Sequence, residues 1–138
     1  MGDCYFERHS NCHGGLSREH YISKSVLDLI FDGTNGVVSG TPWAFSDGKK
    51  VSKESLTAKI LCQRHNNGLA ALDAAAKQLF KAIQDSQTNL QTRGKDGSKV
   101  NVSGDAFERW LLKVTAGMLA SGNFGRGGIA LQRHVPDI

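Results

Sequence analysis

Leu61-Cys62-Gln63-Arg64-His65-Asn66-Asn67-Gly68 is the stretch whose reading decides the fold. A cysteine and a histidine three positions apart can point thiolate and imidazole at one metal ion, and a helical pattern starts directly after them. A structural zinc takes four such ligands, usually as two pairs distant in sequence. The other pair is found upstream, in Cys4 and Cys12. Their C-x7-C spacing is wider than a tight knuckle, and His9 and His13 are the alternatives for one of the two positions. The cysteines rank first because structural zinc favours thiolate. Between the pairs stands Ser17-Arg18-Glu19-His20-Tyr21, an acid directly followed by a histidine. The expectation is a zinc-stapled scaffold that brings Glu19 and His20 up against Asn66, a constellation suited to metal-assisted phosphodiester cleavage.

Composition narrows the class. A chain of 138 residues makes one domain, or one domain with a helical appendage. Its hydrophobic content of 39% and its 16 glycines imply a thin core that a metal staple would help to hold. Three cysteines are an odd number, which excludes a full disulfide framework and favours metal chemistry in a reducing, cytoplasmic compartment. The first fifteen residues are polar and charged and do not read as a signal peptide. No apolar run reaches the length needed to cross a bilayer. The net charge of +4 is compatible with a polyanionic partner.

The rest of the pattern is α+β. Ser23 reads as the N-cap of a short helix with Val26, Leu27, Ile30 and Phe31 on one face and Asp32-Gly33 at its end. Val37-Val38 and Trp43-Ala44-Phe45 suit short strands, with a turn at Asp47-Gly48. Lys49, Lys50 and Lys53 follow as a solvated loop or as phosphate contacts. Residues 56–62 suit a strand that feeds the metal pair. A helix beginning at Asn66 or Asn67 then carries Leu69, Leu72, Ala76, Leu79, Phe80 and Ile83 on one stripe, with Asp73 and Lys77 paired on its surface. Residues 89–104 read as a polar linker, with Lys95-Asp96-Gly97-Ser98 as a hairpin turn and Arg93, Lys95 and Lys99 as further basic residues. Asp105 and Glu108 resemble a capping box opening a second helix, whose stripe is Phe107, Trp110, Leu111, Val114 and Met118. Residues 1–88 thus form the zinc-bound domain. Residues 89–138 form a linker and a helical extension packed on it, ending in a glycine-rich tail in which His134 has no functional role.

Leu16-Ser17-Arg18-Glu19-His20-Tyr21-Ile22-Ser23-Lys24, followed by Leu61-Cys62-Gln63-Arg64-His65-Asn66-Asn67, resembles the HNH endonucleases over roughly residues 4–80. The resemblance implies a ββα-metal, or treble-clef, core. It also implies roles. His20 matches the general base, Glu19 the acidic ligand of a catalytic divalent metal, and Asn66 the third motif position, also a metal ligand. The middle motif position falls on Thr57, where the family usually has Asn; that residue braces the loop and orients the base. Asn67 and Asp73 are the substitute ligands if the register differs.

The chemistry of these residue types agrees with those roles. A neutral histidine takes a proton from water near neutral pH. A carboxylate and an amide oxygen suit a hard cation such as Mg²⁺, whereas a thiolate-bound zinc is closed. Two separate metals are therefore expected, with DNA as the partner and no membrane. A zinc-stabilised module that binds nucleic acid or protein without cutting is the alternative, favoured by Thr57.

Overall fold

A computed structural model of the chain describes residues 4–9, 11–31, 33, 35–41, 44, 48–93 and 99–124. The architecture is α+β: among the described residues there are two separate two-stranded antiparallel sheets and four α-helices. Strand β1 (Leu16–His20) pairs with β4 (Thr57–Cys62), while β2 (Asn35–Val38) pairs with β3 (Lys49–Ser52). Helix α1 (Lys24–Ile30) follows β1, and β4 runs straight into α2 (Gln63–Gly68) and then α3 (Ala70–Arg93). Helix α4 (Gly104–Ser121) packs back onto α3 and β4. Among the described residues, no helix is long and apolar enough to cross a membrane.

The β1–β4 pair is the element that positions everything else. Leu16 pairs with Cys62, Ser17 with Leu61, Arg18 with Lys59, Glu19 with Ala58 and His20 with Thr57. The register shifts between Ser17 and Arg18, which leaves Ile60 as an extra residue in β4. Its carbonyl instead accepts the Tyr5 amide at 3.0 Å, so the N-terminal segment docks beside the strand at the bulge. Ile60, Leu61 and Cys62 are consecutive and all buried, because β4 is covered on both faces there. Leu61 and Cys62 join Cys4 in one apolar cluster, with Tyr5, Phe6, Leu16 and Leu69 around it.

Helix starts differ from expectation in informative ways. Ser23 does cap α1 by position, but its side chain makes no cap bond; it is used elsewhere. The first helix after β4 starts at Gln63, with Cys62 as its N-cap, so Asn66 lies inside α2 and is not a cap. Helix α3 continues to Arg93, past the expected domain boundary at residue 88. The cap of α4 is Ser103, whose hydroxyl accepts the Ala106 amide at 3.2 Å; Asp105 pairs instead with Arg109 at 3.2 Å. Serine outcompetes the acid two positions later because its short side chain reaches the free amides of the first turn. The expected strand at Trp43-Ala44-Phe45 and the Lys95–Ser98 turn lie largely outside the described residues, as does His134. Ala44 itself bridges to Thr41.

The α3 and α4 stripes pack on each other as expected, and α1 joins them, with Val26, Ala76, Trp110 and Val114 at the centre and Leu72, Phe80, Phe107 and Met118 around them. Leu111 falls off the stripe and is 45% exposed. Gly117 is where α4 crosses the end of β1. A Cβ there would sit 2.9 Å from Tyr21 Cβ and 3.5 Å from Ile60 Cδ1. Gly117→Val should destabilise the fold by about 1–3 kcal/mol through overpacking, despite valine's better helix propensity. A denaturant titration that finds the variant as stable as the parent would contradict the close crossing.

Candidate metal centre and active site

Cys4, Cys12, Cys62 and His65 converge. Their ligand atoms all lie within 4.8 Å of one another. The Nδ1 atom of His65 is 3.4 Å from Cys4 Sγ, 3.6 Å from Cys12 Sγ and 3.3 Å from Cys62 Sγ. A tetrahedral zinc with Zn–S of about 2.3 Å and Zn–N of about 2.0 Å would set S···N at about 3.6 Å. The cluster therefore has the ligand types and spacing to hold a metal ion of that size. His9 and His13 stand outside the cluster among the described residues, and His9 packs on the Phe6 ring, 5.3 Å away.

Local structure explains why the ligands meet. The start of α2 is zipped to the loop before β1: the Gln63 amide donates to Gly15 O at 3.1 Å and the Arg64 amide to His13 O at 3.2 Å. Gly14 has φ of +75°, and a Cβ there would meet the Gln63 side chain at 2.7 Å, so this contact needs glycine. The Cys62 amide donates to Cys4 Sγ at 3.4 Å, an outer-sphere bond that supports a thiolate. Burial pushes the Cys12 thiol up to about 12, helped by Cys4 and Cys62 beside it. Burial also opposes ionisation of Cys62, but the amides of His65 and His13 outweigh it and bring that thiol below its ordinary value. A bound dication would require its thiol ligands deprotonated.

The residues expected at the second centre fall into two neighbourhoods. Glu19 is buried at 7% exposure and contacts Asn66. Asn66 donates its Nδ2 to Ser17 Oγ at 3.0 Å, and Ser17 in turn donates to Leu61 O at 3.2 Å. These groups share the face of β1 turned to α2, α3 and α4. His20, the next residue, stands opposite Thr57, and the nearby charges are those of Glu54, Lys24 and Asp28. Its Nε2 is buried without a hydrogen-bond partner among the described residues, and desolvation lowers its pKa, which favours the neutral ring. Thr57 accepts Arg18 Nη1 at 3.2 Å and donates to Glu54 O at 2.7 Å. Asn67 is exposed on α2.

Sequence reasoning missed the partner of Glu19. It is Lys113 of α4, only 3% exposed, with Nζ 2.8 Å from Glu19 Oε1 and 2.7 Å from both oxygens of Asp73. Asp73 therefore turns inward and does not pair with Lys77. Ser23 donates to Asp73, and Trp110 Nε1 donates to Ser23 Oγ at 2.6 Å. Burial raises the Glu19 pKa, while Lys113 and Asn66 pull it back down. The signal was present in register: Lys113 follows Trp110 by three positions and so falls on the buried stripe.

The basic residues also divide. Lys53 is tied to Asp28 at 2.7 Å. Lys53 and Lys24 together hold the Asp28 carboxyl down to about 2. Lys49 and Lys50 line an open groove of about 310 Å³ with Tyr21, Ser52, Ser55 and Asn123. Arg93 and Lys95 give no side-chain placement among the described residues, and Lys99 lies at the edge of a stretch outside them.

Comparison with protein-family models, with curated proteins and with solved structures finds no match. The HNH resemblance therefore stands on the motif residues alone.

Proposed function

We propose that this chain is a metal-dependent endonuclease of HNH-like type, hydrolysing phosphodiester bonds in DNA on a zinc-stapled ββα, or treble-clef, core. The observation that carries the reading is the β1–β4 pairing: with α2 it sets Glu19 against Asn66 and, in a separate neighbourhood of the same strand, His20 opposite Thr57, the four residues that the motif resemblance singles out. The zinc would be held by Cys4, Cys12, Cys62 and His65, and its role is to fix the N-terminal segment to the junction of β4 and α2. Glu19 and Asn66 would hold Mg²⁺ or another hard divalent ion, which when bound stabilises charge developing on the phosphate. His20 Nε2 is buried and has no hydrogen-bond partner among the described residues, which leaves it uncommitted for a water that reaches it. The Lys49–Lys50 groove begins at Tyr21, next to His20, and offers positive charge to a nucleic-acid backbone.

Purified zinc-loaded chain is expected to relax supercoiled plasmid with Mg²⁺ added and to leave it intact with Mg²⁺ omitted. Intact plasmid under both conditions would remove the nuclease reading. A second reading has its own observation: Lys113 already neutralises Glu19, which favours a zinc-stabilised module that grips nucleic acid or a protein without cutting. A duplex-DNA gel shift without cleavage is the result that second reading expects.

A further inference from the structure

One pairing in the β1–β4 register sets like charges face to face. Arg18 of β1 stands directly opposite Lys59 of β4, and both are exposed. Like charges opposed across two strands destabilise a hairpin. No acid relieves them: among the described residues the ion pairs engage Lys24, Lys53, Lys81, Arg109 and Lys113. Side chains two apart on a strand share a face. Arg18 and His20 therefore stand on one face of β1, with Lys59 and Thr57 beside them on β4, while Glu19 is buried on the other. Arg18 leans along this face. Its Nη1 donates across the diagonal to Thr57 Oγ1 at 3.2 Å, and Thr57 is itself held by donating to Glu54 O at 2.7 Å. The guanidinium is thus carried towards the His20–Thr57 pair, with the rest of its N–H fork uncommitted among the described residues. The bulge falls immediately before Arg18, and a bulge re-aims the side chain beside it.

We propose that the exposed face of β1–β4 is the surface on which a nucleic-acid strand lies, with one backbone phosphate held between Arg18 and Lys59 beside His20. This rests on the reading of His20 as the base of a nuclease, and it names the residues that present the phosphate to it. Two phosphate oxygens match the planar guanidinium fork, and the ammonium adds a point charge from the facing strand. An anion seated between the two cations also removes the repulsion that the register builds in. The hairpin gives up some stability when empty and regains it when the phosphate is bound.

The test uses the zinc-loaded full chain and a fluorescein-labelled DNA duplex of mixed sequence, with binding followed by fluorescence anisotropy over a range of salt and with Mg²⁺ omitted. Arg18→Gln combined with Lys59→Gln removes both charges, while glutamine can still donate to Thr57. The double variant is expected to lose about 0.9 from the log–log salt slope and to bind about eightfold more weakly at about 0.1 M salt, which is one phosphate's contribution. Its melting temperature without DNA should be no lower than the parent's, because the facing charges are gone. Lys77→Gln with Lys81→Gln removes the same charge from the exposed surface of α3 and should leave the slope unchanged. An unchanged slope in the Arg18–Lys59 variant overturns the proposal, as does an equal loss in the α3 variant or a parent chain that does not bind the duplex. A melting temperature that falls along with the affinity would make the pair a brace of the hairpin and overturn it too. Cleavage measured with Mg²⁺ added reports on the nuclease reading separately: binding that depends on Arg18 and Lys59 without cleavage keeps the surface and removes the nuclease.

Discussion

Cys62→Ser is expected to leave the chain without bound metal and largely unfolded. Cys62 is fully buried, ends β4, caps α2, and sits 3.3 Å from His65 Nδ1, so its loss opens the cluster at its centre. A structural zinc in a small domain contributes on the order of 10 kcal/mol of apparent folding free energy. That is comparable to the whole stability of an ordinary domain. Serine keeps the volume but offers a poor zinc ligand. The far-ultraviolet circular dichroism of α3 and α4 should collapse with the metal content, because α4 packs on the strand that the cluster anchors and α3 packs on α4. Cys4→Ser should behave alike, since Cys4 is equally within the cluster and its sulfur accepts the Cys62 amide. A Cys62→Ser chain that stays folded would show that the apolar clusters alone suffice.

His20→Ala is expected to separate folding from chemistry. Among the described residues the ring has no hydrogen-bond partner at Nε2, and it stands outside the sulfur cluster, so metal content and melting temperature should stay close to those of the parent. Cleavage of plasmid should fall by a factor of about 10² to 10⁴, the usual contribution of a positioned base. Cutting at the parental rate would rule out His20 as the base. Loss of zinc in this variant would instead place His20 in the structural centre.

What could be read from the sequence was whatever ligand chemistry or strict periodicity dictates. Cys4, Cys12, Cys62 and His65 were legible because few other arrangements satisfy thiols and an imidazole in a chain with so thin a core. The α3 and α4 stripes were legible because Leu72, Ala76 and Phe80, and Phe107, Trp110 and Val114, recur at helical spacing. The misread residues are those whose polar side chains found partners far away in sequence. Ser23 is the N-cap of α1 by position, as read, yet its hydroxyl goes to Asp73 and Trp110. Asp73, read as a surface partner of Lys77, turns inward to Lys113. Lys113 itself was passed over because lysine is rarely buried unless paired, and its pairing acids lie on β1 and α3. Lys53 was grouped with Lys49 and Lys50 by adjacency, yet folding turns it back onto Asp28. Removing one member of such a buried ion network typically costs about 3–5 kcal/mol, so these long-range pairs bear on the docking of α4 as strongly as its apolar stripe does.

The metal centre is the claim from which the rest follows, and zinc K-edge X-ray absorption on the purified chain tests it most directly. The account predicts one zinc per chain with three sulfur neighbours at about 2.3 Å and one nitrogen at about 2.0–2.1 Å. A folded chain without zinc, or a zinc surrounded by oxygen or by other counts of sulfur, would contradict it.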